Sequence, residues 1–147
     1  MRNRITIGYQ FDPSHFDKSL PPDSFGSLSI VVETSDLSGR GSYWVQWQDV
    51  LEFAENLGRH PIEKNDPVAL ALAHHQENSE TPMIGLQIAS TGSLDELEAI
   101  VSLMENDEPR KQLRTFFRVG YPAVAMFRSD IERLMRGEIE LAELIGH

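Results

Sequence analysis

The chain has 147 residues, no cysteine, 13 basic against 23 acidic residues and a formal net charge of -10. That length suits a single domain spanning residues 1–147. The missing cysteines exclude disulfides, thiolate metal sites and cysteine nucleophiles, and the acidic balance argues against a phosphate backbone as partner. No stretch approaches the ~18 apolar residues of a membrane span, and Met1-Arg2-Asn3-Arg4 is not followed by the apolar run of a signal peptide, so the expectation is a cytoplasmic protein without membrane contact.

Along the chain, Ile5, Ile7 and Tyr9 alternate and predict a strand over residues 4–10. A polar loop with Pro13, Pro21 and Pro22 follows. Leu28, Ile30 and Val32 alternate within Ser27 to Thr34, a second strand. Ser35 to Ser42, with Asp36, Gly39 and Gly41, reads as a turn with Arg40 at its tip. A strand Tyr43 to Trp47 and a helix Gln48 to Leu57 come next, the helix ending at Gly58. Val50, Phe53, Ala54 and Leu57 form its apolar side, and Glu52 and Glu55 face the other way.

Val68, Leu70 and Leu72, then Ile84, Leu86 and Ile88, alternate as two further strands joined by a loop over Gln76 to Pro82. Ser93 to Glu105 carries two signals. Ser93 with Glu96 resembles a capping box and favours a helix, whereas Leu97, Ala99, Val101 and Leu103 alternate and favour a strand. The strand is the expectation, with Asn106 to Lys111 as the turn after it. Pro122 suits the first turn of a second helix whose stripe is Val124, Phe127, Ile131 and Leu134, with Gly137 at its end. Leu141, Ala142, Leu144 and Ile145 predict a short terminal helix.

The order of elements hints at a repeat. Tyr43, Val45, Trp47, Val50, Phe53 and Leu57 recur 74 positions later as Phe117, Val119, Tyr121, Val124, Phe127 and Ile131. The expected architecture is therefore α+β. It is an antiparallel sheet of about six or seven strands with two helices on one face, and it contains duplicated strand-turn-strand-helix units over about 27–58 and 95–136.

No catalytic constellation stands out. Ser38-Gly39-Arg40-Gly41-Ser42 opens onto a strand rather than a helix N-terminus and lacks the phosphate-loop lysine, so it reads as a hairpin turn. His74 and His75 are neighbours and would point to opposite faces of a strand, which does not make a metal site. The acid pairs Glu33 with Asp36 and Asp49 with Glu52 read as strand-edge and first-turn acids. No cofactor, metal or catalytic residue is expected.

Two surfaces do suggest binding. Asp95, Glu96, Glu98, Glu105, Asp107 and Glu108 form a base-free acidic stretch, followed at once by Arg110, Lys111, Arg114 and Arg118, that reads either as a solvated surface with some cross-strand pairing or as a face suited to steering a basic protein partner. Arg40 and Trp44 are further contact candidates, because Trp44 lies out of phase with the core residues Tyr43, Val45 and Trp47. A second reading is a small-ligand binder or enzyme with a groove between the halves, lined by His74, Arg114 and Arg118. A third is a homo-oligomer paired through a sheet edge.

The segment Gly41-Ser42-Tyr43-Trp44-Val45-Gln46-Trp47-Gln48-Asp49-Val50-Leu51-Glu52-Phe53 resembles small bacterial α+β proteins. So does the ending Phe127, Ile131-Glu132-Arg133-Leu134, Gly137-Glu138, Ala142-Glu143-Leu144. Several such families look like immunity proteins of bacterial toxin systems. The resemblance implies a small, acidic, non-enzymatic protein that binds a toxin domain. It brings no catalytic residues with it.

Overall fold

The computed structural model describes residues 3–11, 25–35, 37–72, 83–92, 96–104 and 112–146. Among these residues the chain forms strands β1 (Arg4–Phe11), β2 (Phe25–Glu33) and β3 (Ser38–Gln46), then helix α1 (Trp47–Asn56). Strands β4 (Val68–Leu72), β5 (Met83–Ser90), β6 (Leu97–Met104) and β7 (Gln112–Val119) follow, then helix α2 (Tyr121–Met135) and strand β8 (Ala142–Ile145). The fold is α+β with two helices, as expected. The strands do not make one sheet of six or seven. They form two antiparallel sheets of four, ordered β3-β2-β1-β8 and β4-β5-β6-β7.

Period-two alternation explains why each sheet has one apolar face. Ile5 and Ile7 of β1, Leu28, Ile30 and Val32 of β2, and Tyr43 and Val45 of β3 are all buried. The second sheet buries Val68 and Leu70, Leu86 and Ile88, Leu97, Ala99, Val101 and Leu103, then Phe117 and Val119. These faces and the apolar stripes of both helices belong to one continuous core. Phe53 and Phe127 are its largest fully buried side chains, exposed by only 2% and 0%.

Both helices start without a side-chain cap, because a strand runs almost straight into each. β3 ends at Gln46 and α1 begins at Trp47, whereas only Gly120 separates β7 from α2. Trp47 and Tyr121 are thus the first residues of helices rather than the last of strands, and each is half-buried rather than core. α2 ends in a Schellman motif, with Gly137 at φ +77. The Glu138 N–H donates to the Arg133 carbonyl at 2.9 Å, and the Gly137 N–H donates to that of Leu134 at 3.0 Å.

Three local expectations are corrected. Gly39, Arg40 and Gly41 are not a turn but part of β3, which pairs with β2 from Glu33 opposite Ser38 onwards. Their glycines answer crowding rather than turn geometry. A Cβ on Gly39 would lie 2.6 Å from Leu113 Cδ1, and one on Gly41 would lie 2.5 Å from the Tyr43 hydroxyl oxygen. Gly58 likewise does not supply a left-handed cap, since its φ is not positive, and a Cβ there would lie 2.9 Å from the Arg128 guanidinium. The chain end is strand β8 rather than a helix. Ala142 and Leu144 are buried against the core while Ile145 is 41% exposed, and the strand pairs with β1. Residues 97–104 are strand β6. The predicted loops over 12–24, 76–82 and 106–111 lie outside the described residues.

The α1–β4 connection is pinned by Ile62, which is buried. Its N–H donates to the Tyr121 hydroxyl at 3.0 Å, so the start of α2 holds the exit of α1. Replacing Phe53 or Phe127 by Ala removes a fully buried ring and is expected to destabilise the fold by about 3–5 kcal/mol. Phe116→Ala, at a ring 66% exposed, should stay within about 0.5 kcal/mol of the parent. Urea unfolding of the three variants checks the contrast.

Candidate functional site

The apolar faces of both sheets are buried in the core, so the accessible side chains of the described strands are those at outward positions. On β7 these are Arg114, Phe116 and Arg118, all exposed. On β3 they include Arg40, which pairs with Val31 of β2 and is exposed. Trp44 pairs with Ser27, and its side chain lies outside the description.

The acidic stretch is only partly in view. Asp95, Glu105, Asp107 and Glu108 lie outside the described residues, as does His74. Glu96 directly precedes β6, and its carboxylate meets Arg118 Nε at 2.8 Å. Glu98 faces Arg118 across the β6–β7 pair. The described end of the stretch is therefore partly neutralised by Arg118. Arg114 and Arg118, two of the residues expected to line a groove, stand on β7, while His74 lies outside the described residues. Both are exposed on the outward face of β7, and core side chains fill the inner faces.

Among the described residues, a second group of acids lies on α1. Asp49, Glu52 and Glu55 are exposed on the outward side of α1, three positions apart and hence neighbours on the helix. Among the described residues no ion pair reaches them. The ion pairs found are Arg4–Glu33, Arg59–Asp66, Arg118–Glu96, Arg128–Glu132, and Arg133 and Arg136 with Glu138. The Asp49 and Glu52 pair and the outward phase of Glu52 and Glu55 were already legible in the sequence. What was not legible is that these acids stay unpaired while Glu33, of the other acid pair, is bound by Arg4 at 3.2 Å. Asp36 lies outside the described residues.

α2 presents a different outward side. Ala125, Met126 and Ser129 are exposed there, Met126 by 69%. On the second sheet, Ala69, Gln87, Ile100 and Phe116 line up across the four strands, so Phe116 stands at the end of a mixed row. Among the described residues no three His, Cys, Asp or Glu side chains gather to hold a metal. His60 lies against Tyr121, ring centroids 4.6 Å apart. Among the described residues no helix is long and apolar enough to cross a membrane.

Tyr9 reaches across the first sheet from β1 to β3, close to the start of α1. Its hydroxyl donates to the Val45 carbonyl at 2.9 Å. Burial pushes its pKa up to about 12, and the nearby Asp49 charge adds to the shift.

No protein-family model matches the chain, and it matches neither a curated protein nor a solved structure.

The raised Tyr9 pKa has a definite sign in stability. An unfolded tyrosine ionises near 10, the folded one near 12, so the folded chain binds the extra proton between those values. Stability is expected to be whole below pH ~10 and to fall as pH rises towards ~12. Tyr9→Phe should remove that part of the fall and cost about 1 kcal/mol at neutral pH for the lost hydrogen bond. Urea unfolding at neutral and alkaline pH, with ultraviolet titration of the phenol, checks both.

Proposed function

We propose that this protein is a non-enzymatic, cytoplasmic protein-interaction module that captures a basic protein partner, of the kind the immunity-type resemblance implies. The observation that carries the reading is the unpaired acidic side of α1, formed by Asp49, Glu52 and Glu55. It belongs to a chain whose net charge is -10. An amphipathic helix needs a polar outer side, but not a charged one. On α2 the residues at the corresponding spacing, Ala123, Met126 and Ser129, are uncharged. Acids left without partners keep their full field for an approaching cation-rich surface, which speeds encounter and selects against acidic competitors.

The acidic stretch Asp95, Glu96, Glu98, Glu105, Asp107 and Glu108 is proposed as a second region of contact with the basic partner, with Arg40 and Trp44 as further contacts. The scaffold is a duplicated strand-turn-strand-helix unit, residues 27–58 and 95–136. In support, β2 and β3 pair antiparallel ahead of α1, and β6 and β7 pair antiparallel ahead of α2.

The tagged protein incubated with host lysate should retain one dominant basic protein. Retention should fall as salt is raised from 0.01 to 1 M, over which the Debye length shrinks from about 30 to about 3 Å. The variant Asp49→Asn, Glu52→Gln, Glu55→Gln should lose most of that capture at low salt while keeping the parent's Tm. Capture that is flat across this salt range, or untouched in the triple variant, removes the electrostatic reading.

A further inference from the structure

The two sheets become the same object once β8 is counted first. The second sheet is a plain meander in chain order, β4-β5-β6-β7, followed by α2. The first sheet read from its far edge is β8-β1-β2-β3, again antiparallel throughout and followed by α1. Corresponding rows cross the two sheets. Gly41, Ile30, Ile7 and Ala142 pair in series in one, and Thr115, Val101, Leu86 and Leu70 in the other.

Spacing along the chain supports the same match. Val50 and Val124, Phe53 and Phe127, and Leu57 and Ile131 are each 74 positions apart, and all six are buried. The first residues of β4 and β8, Val68 and Ala142, keep that spacing. The paired rows instead set Ala142 against Leu70, a slip of two residues. A slip of two preserves which side chains face inward, so it leaves the core pattern intact. Gly39 and Leu113, also 74 apart, lie against each other. Equivalent residues in contact belong beside the axis that relates the two units.

We infer that β8 is the leading strand of the first unit, carried at the far end of the chain, and that it acts as a clasp between the two units. It is covalently part of the second unit through α2, yet it completes the sheet of the first. Ala142 and Leu144 are both 0% exposed. The Gly146 N–H donates to the Asn3 carbonyl at 2.8 Å, so the chain closes where a hairpin turn would otherwise join β8 to β1. This inference rests on the internal repeat proposed above and is independent of the partner.

Two chains test it. One ends at Gly137 and lacks β8. The other also ends at Gly137 but carries residues 138–146 ahead of Asn3, joined by a two-residue Asn-Gly turn, which suits antiparallel neighbours. The shortened chain should lose cooperative thermal unfolding. The rearranged chain should be monomeric and melt within about 5 °C of the parent, and Leu144→Ala should lower Tm equally in the parent and rearranged orders. A rearranged chain that melts no better than the shortened one overturns the inference, because β8 would then depend on its attachment to α2. A shortened chain as stable as the parent overturns it too, since β8 would clasp nothing.

Discussion

The constraint on which this molecule depends is that neither four-stranded sheet can bury its apolar face alone. Each presents a single alternating face, and the same core takes both of them together with the stripes of α1 and α2. The helices reach that core without flexible joints. β3 passes into α1 at Gln46–Trp47, and β7 into α2 through Gly120. The short junctions carry each helix straight from its strand onto the core, with Phe53 and Phe127 buried. The Tyr121 hydroxyl bound to Ile62 fastens one helix exit to the other helix entry.

That economy shapes the surface. Among the described residues the core holds no buried polar or charged residue, so every described charge lies where water reaches it. Ion pairs there are worth little, about 0–1 kcal/mol each, and the fold does not depend on them. Charge on the outside is free to vary without cost to the core. The acids Asp49, Glu52 and Glu55 on the outer side of α1, and Arg133 among uncharged residues on the outer side of α2, reflect this freedom.

The α+β class, most of the strands and both helices follow from periodicity in the sequence. Leu28, Ile30 and Val32, or Val124, Phe127 and Ile131, admit one reading each, because their spacing matches a single backbone geometry. The glycines near residue 40 misled for a physical reason. Glycine marks turns and also places where another group comes too close for a Cβ, and only the position of Leu113 and of the Tyr43 ring distinguishes the two. The tail misled because Ala142, Leu144 and Ile145 satisfy a helical stripe nearly as well as a strand. The neighbouring β1, distant in sequence, made the choice. Of the candidate site, the acidity and the outward phase of Glu52 and Glu55 were legible. The pairing of Glu96 with Arg118 was not, since it depends on the register between β6 and β7.

By itself, then, the sequence determined most of the local geometry, residues 39–41 and the strand β8 excepted, and which side of those elements is apolar, because these depend on near neighbours in the chain. It determined the net charge and the absence of thiol chemistry as well. Only the tertiary structure decided that eight described strands divide into two sheets, that β8 returns to β1, and which acids remain unpaired. Those outcomes depend on which elements compete for the same apolar face, and that competition is between residues far apart in the chain.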